Sequence, residues 1–116
     1  MIEKIVINLL NQDLLNEIRY SKNYSRGKFR IKKWGRLKIY QELKKRNISE
    51  FNIKIGLKEI EENYVSTCEE LVKKIWDSNE SMSLIEKKKK IWNYLRYRGW
   101  EKALIFDQIE KQSINL

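Results

Sequence analysis

The chain has 116 residues, 41% of them hydrophobic and 11% aromatic, which suits one compact domain or a short array of small ones and is enough to build a core. With no histidine and a single cysteine it holds no His/Cys metal pattern and no nucleophile triad that depends on histidine. The net charge of +9 is concentrated: residues 18–41 carry nine basic side chains and no acidic one, while the remainder balances at 16 of each sign. That asymmetry points to an anionic partner.

Proline is absent, Lys, Glu, Leu and Ile recur, and charged residues make up 35% of the chain, a profile that predicts an all-α fold with short connections. No apolar run approaches the roughly 20 residues that span a bilayer, and "MIEKIVINLL" lacks the pattern of a secretory leader. The expectation is a soluble, cytoplasmic protein with no membrane contact. Gly27, Gly35, Gly56 and Gly99 are too far apart to form a phosphate-binding loop. The acids are scattered, and the pairs Glu61–Glu62 and Glu69–Glu70 read as solvated helix ends. The chain is therefore expected to be no enzyme, with no catalytic residue, metal or cofactor.

In chain order, residues 1–12 have the character of a third helix running into a next first helix, with Leu10 matching Ile60. A helix opening near Asp13 carries Leu14, Ile18 and Tyr24, and the basic window follows. Trp34-Gly35 marks a turn in which Gly35 permits a close approach, and Trp34 is expected to pack on a neighbouring helix rather than stack on a base. The next helix ends Leu43-Lys44-Lys45-Arg46-Asn47-Ile48, and another carries Ile53 and Leu57. A further helix begins at Asn63 or Ser66, where Ser66 and Glu69 fit a capping box, and places Tyr64, Cys68, Leu71, Val72, Ile75 and Trp76 at helical spacing. Residues 77–81 are a polar connection. Ser83 and Glu86 form a second capping box, opening the helix of Leu84, Ile91, Trp92 and Leu95.

Residues 38–57 and 90–109 repeat one another in mechanics more than in identity. Asn47 and Gly99 both suit the left-handed position after a helix end, with Ile48 set to pack on Leu43 and Trp100 on Leu95. Basic residues fill both last turns, and Ile53/Leu57 match Ile105/Ile109. The expected organisation is a tail at 1–12 and three-helix units at 13–61 and 62–116, stacked to bury their apolar faces.

"NEIRYSKNYSRGKFRIKKWGRLKIYQELKKRNIS" resembles the central part of the RecX family, regulators of the recombinase RecA. The residues that carry the likeness are Glu17, Arg19, Tyr20, Ser21, Lys28, Trp34, Gly35, Lys38, Ile39, Leu43, Lys45 and Ile48, with Tyr94, Leu95, Arg98, Gly99 and Trp100 near the C-terminus. Asn16, Ser21 and Asn47 depart from the family's usual acid, alanine and glycine. The resemblance covers nearly the whole chain and would leave out most of the first repeat. It implies tandem three-helix repeats in a curved, elongated monomer. Such a body lodges in the groove of a RecA–DNA filament, touches RecA and single- or double-stranded DNA within it, and restrains growth and ATPase activity. On that reading Lys22, Arg26, Lys28, Arg30, Lys32, Lys33, Arg36 and Lys38 form the polyanion-binding surface, with Lys44, Lys45 and Arg46 as second choices. The alternative is a small basic module acting directly on DNA without a recombinase. Lys87–Lys90 spread around a helix and cannot all face one partner.

Overall fold

In a computed structural model, which describes the backbone of residues 2–114 and side chains from residue 11 onward, the described residues form six α-helices and no strand. They are α1 (Ile2–Gly27), α2 (Arg36–Lys45), α3 (Glu50–Leu57), α4 (Tyr64–Asp77), α5 (Leu84–Tyr97) and α6 (Lys102–Ile114). A π-helical turn (Lys28–Lys32) follows α1, and a 3₁₀ turn (Lys58–Ile60) follows α3. The body is elongated, 71 × 23 × 21 Å. α1 packs chiefly on α3, which also meets α2; α4 packs on α6, and α5 on both. Leu10, matched with Ile60 above, lies outside the described side chains, while Ile60 is buried.

The helix starts and stops follow local chemistry. The Ser49 and Ser83 hydroxyls accept from the N–H groups of Asn52 and Glu86, capping α3 and α5. Ser66 is not a cap: α4 opens at Asn63, and the Ser66 hydroxyl donates back to the Asn63 carbonyl. The expected helix start near Asp13 is no break either. Residues 11–13 run through inside α1, since no Gly or Pro interrupts them and propensity alone is a weak signal.

Both predicted helix endings have Schellman geometry. Ile48 N–H donates to Leu43 C=O at 3.2 Å and Asn47 N–H to Lys44 C=O at 3.0 Å; Trp100 and Gly99 repeat this on Leu95 and Arg96 at 3.1 Å each. Asn47 and Gly99 sit at φ 61° and 84°, the left-handed region. Leu43, Leu95 and Trp100 are buried, and so are Ile53 and Ile105.

The core runs through both units: Phe29, Ile39, Leu43, Ile53 and Ile60 continue into Tyr64, Cys68, Val72, Trp76, Ile91, Trp100 and Ile105. Cys68 is in it as expected, and burial pushes its thiol up to about 12. Trp34 and Trp92 are partly buried against this core. Between α1 and α3 the contact is close. Glu17 accepts from the Ser49 N–H at 2.9 Å and from the Asn52 side chain at 3.0 Å. The Ser49 backbone bond, with help from Asn52, holds the Glu17 carboxyl below its ordinary value.

The two helix endings predict opposite outcomes for their left-handed positions. A Cβ on Gly99 would overlap the Lys38 backbone at a positive φ, so Gly99→Ala should cost more than about 3 kcal/mol in urea unfolding. Asn47 is exposed, so Asn47→Gly should stay within about 1 kcal/mol of the parent.

Candidate polyanion-binding surface

The basic window does not lie on one regular helix. Its first part ends α1, its middle forms the π-helical turn, and its last part starts α2. Lys33 closes the π turn in the left-handed region, at φ 59°, with its N–H on the Lys28 carbonyl. The wider turn throws Ile31 outward, 79% exposed, and tucks Phe29 into the core. Arg26 and Arg30 line a hollow of about 490 Å³ on one flank of Ile31, with Asn23 and Gly27. Lys28 and Lys32 line another of about 260 Å³, with Asn23, Tyr24, Gly27 and Ile31.

The structure sorts all the candidate cations but Lys33 into three groups. Lys22 lies 3.7 Å from Glu59, Arg36 2.8 Å from Glu101, and Lys45 and Arg46 each 3.2 Å from Glu42. Lys28 and Lys38 rest on aromatic rings instead. Lys28 is 5.5 Å from the Tyr24 centroid and 5.0 Å from that of Trp34. Lys38 is 4.7 Å from Trp34 and 4.5 Å from Tyr97. Arg46 adds a contact 4.8 Å from Tyr24, so cations and rings alternate as Arg46, Tyr24, Lys28, Trp34, Lys38, Tyr97. Arg26, Arg30, Lys32 and Lys44 are exposed; Arg26 donates to the Asn23 side-chain Oδ1 at 2.6 Å, a local bond that leaves its charge unneutralised. Lys33 contributes its backbone to the junction described next.

That junction joins the two units. The Gly35 N–H donates to Arg98 C=O at 2.8 Å, Leu37 N–H to Gly99 C=O at 3.0 Å, and Arg36 N–H to the Tyr64 hydroxyl at 2.8 Å. The Trp100 indole N–H donates to Lys33 C=O at 2.9 Å. The Tyr64 hydroxyl donates to Glu101, whose other oxygen takes the Arg36 guanidinium. Arg36 also lies 4.1 Å over the Tyr64 ring. Tyr64 in turn stacks on Trp100 with centroids 4.5 Å apart, and Phe29 completes the cluster. Gly35 allows the approach, since a Cβ there would lie 2.5 Å from the Gly99 oxygen. Arg36 is thus a strut between units as well as a surface charge.

Tyr97 and Glu101 are participants that no sequence pattern marked, and Tyr24 and Tyr64 were marked only as apolar helix positions. Tyr24 and Lys28 were findable, being one helical turn apart. Lys38 and Tyr97 lie in different helices, and no local pattern joins them. The lysines of 87–90 do diverge: Lys87 lies 5.0 Å over Trp76, Lys88 meets Glu110 at 3.7 Å, and Lys90 donates to Asn79 at 2.9 Å. Among the described residues no group of acids or thiols could hold a metal, and no helix is long and apolar enough to cross a membrane.

Residues 16–57, which hold this basic window, match the family model described as RecX, second three-helix domain. The chain is also 32% identical over 100 residues to the "Regulatory protein RecX" of Pelodictyon phaeoclathratiforme (strain DSM 5477 / BU-1). In sequence the chain is thus similar to the RecX family. The alignment takes in 86% of this chain and 61% of that relative, so the chain spans about three-fifths of its length. The crystal structure of RecX from Lactobacillus salivarius superposes with a TM-score of 0.77 at 23% identity, covering 97% of this chain and 74% of that one. That likeness shows the RecX fold: tandem three-helix repeats in an elongated all-α body.

The junction can be read by alkaline titration. Burial, reinforced by the bond to Glu101, raises the Tyr64 phenol well above its ordinary value. Its folded pKa exceeds its unfolded one, so the associated stability is intact below about pH 10 and declines as pH climbs further. Ultraviolet titration should show one of the six tyrosines ionising only as helical circular dichroism is lost. Tyr64→Phe should remove that late phase.

Proposed function

We propose that this chain binds RecA–DNA filaments, occupies their groove, and restrains filament growth and ATPase and strand-exchange activity without chemistry of its own. The observation that carries this reading is the set of unneutralised cations grouped on a segment that matches the RecX family model. Arg26, Arg30, Lys32 and Lys44 have no acidic partner among the described ion pairs, and Lys28 and Lys38 are held by rings that leave their charge intact. A RecA–DNA filament offers phosphates and acidic protein surface, and a row of Lys and Arg complements both. The stiff junction supports a mechanism by occupation, because a body that holds its shape obstructs subunits where a flexible tether yields. The units of residues 13–61 and 62–116 act together in this reading, as a monomer in the cytoplasm.

The second reading, a module acting directly on DNA without a recombinase, draws on the interleaving of rings and cations, a feature of single-strand binders. It requires tight binding to naked DNA at physiological salt with a steep salt slope.

The decisive assay is the DNA-dependent ATPase of the cognate RecA, with this protein added below one copy per RecA. Strong inhibition at low ratio is expected. Reversing Arg30, Lys32 and Lys44 to Glu should weaken inhibition at least about tenfold, or about 1.4 kcal/mol, with helicity unchanged. Arg36 is left intact there because its loss would also cut the tie to Glu101. Undiminished inhibition by the triple variant would remove the basic surface from the mechanism.

A further inference from the structure

The cation–ring series ends at a feature that neither the fold nor the junction uses. Tyr97, in the last turn of α5, is 75% exposed and does not belong to the core. Lys38 of α2 sits over its ring at 4.5 Å. A ring has two faces; with a cation on one and most of the residue in solvent, the other is open. Beside it, α2 and α5 leave a cleft of about 200 Å³ lined by Leu37, Lys38, Gln41, Glu42, Arg96 and Tyr97. Glu42 is the acid there, and its carboxylate is bound by Lys45 and Arg46. The Arg96 guanidinium holds the Trp100 carbonyl at 3.0 Å, which fixes a second cation among the residues that line the cleft.

We propose that this cleft, at the seam between the two units, takes one nucleotide of a single-stranded nucleic acid, the base stacking on Tyr97 and its phosphate lying between Lys38 and Arg96. The inference rests on reading the basic window as polyanion-facing, and it names the ligand of its far end. A flat open ring beside a fixed cation matches a nucleotide, which presents a π-face and a phosphate a few ångströms apart. Paired bases hide their faces in the stack, so a duplex would gain only the charge. An acidic protein segment would use Lys38 and Arg96 and leave the ring idle. Trp34 cannot serve as the platform because it is partly buried and carries Lys28 and Lys38. Because Lys38 bridges Trp34 of the first unit and Tyr97 of the second, the site exists only when the units are docked.

The test uses the whole chain with labelled oligo(dT) and with duplex of equal length, followed by anisotropy at low salt. Tyr97→Ala should weaken oligo(dT) binding about fivefold or more while leaving duplex binding unchanged, and Tyr97→Phe should stay within about twofold of the parent. Lys38→Gln should lower the oligo(dT) salt slope by about 0.7. A photoreactive iodouracil oligomer should cross-link to the peptide holding Tyr97. Parent-like oligo(dT) binding by Tyr97→Ala, equal losses on oligo(dT) and duplex, or no binding by the parent chain would each overturn the site. The assay contains no RecA, so such a failure leaves the ATPase experiment free to decide the filament reading on its own.

Discussion

The backbone N–H groups of Gly35, which caps α2, and of the first two residues of α2 are satisfied by the other unit. A helix start leaves such N–H groups without intrahelical partners, and a buried one left unpaired is costly. Here the Arg98 and Gly99 carbonyls and the Tyr64 hydroxyl take all three. The arrangement also sets the negative end of α5 against the positive end of α2, a favourable contact of helix dipoles. Gly35 and Gly99 let the two backbones approach closely enough for these bonds, and the stacked rings of Trp100, Tyr64 and Phe29 pack beside them. The two units share one core because of this joint, and the relative placement of the functional side chains follows from it.

Charge is distributed around that joint in an orderly way. Arg36 is committed to Glu101, and Arg46 ties the end of α2 to Tyr24 of α1. Such pairs position elements, although in partly exposed settings each contributes little stability. Lys28 and Lys38 are immobilised by rings, which orient a cation without cancelling it. Arg30 and Lys32 stand on a π-helical turn that pushes them and Ile31 into solvent. One contiguous run of basic residues therefore contains struts, oriented cations and free charges, with different chemical uses.

Several features were legible in single residues. Asn47 and Gly99 announced left-handed helix ends because few other residues adopt that conformation cheaply, and Ser83 announced a cap through its reach to Glu86. Gly35 marked a close approach, and Cys68 and Trp76 marked a buried stripe. Ser66 misled, because a hydroxyl one turn inside a helix can bond backward as readily as forward. Asp13 misled as well, since polar residues near a helix start are also tolerated in its interior. The π turn left no trace in the spacing.

By itself the sequence determined the all-α class, the two repeated helix endings, the apolar stripes and the confinement of positive charge to residues 18–41. Each depends on neighbours within a turn or two, where spacing and conformational preference act directly. Only the tertiary structure decided which cations are neutralised, which lie on rings, and that Lys38 and Tyr97 share a seam. Those outcomes depend on contacts between residues far apart in the chain, such as Arg36 with Glu101 or Lys33 with Trp100. Such pairs form only once the units dock, and docking is set by shape and hydrogen-bond geometry that no local window contains.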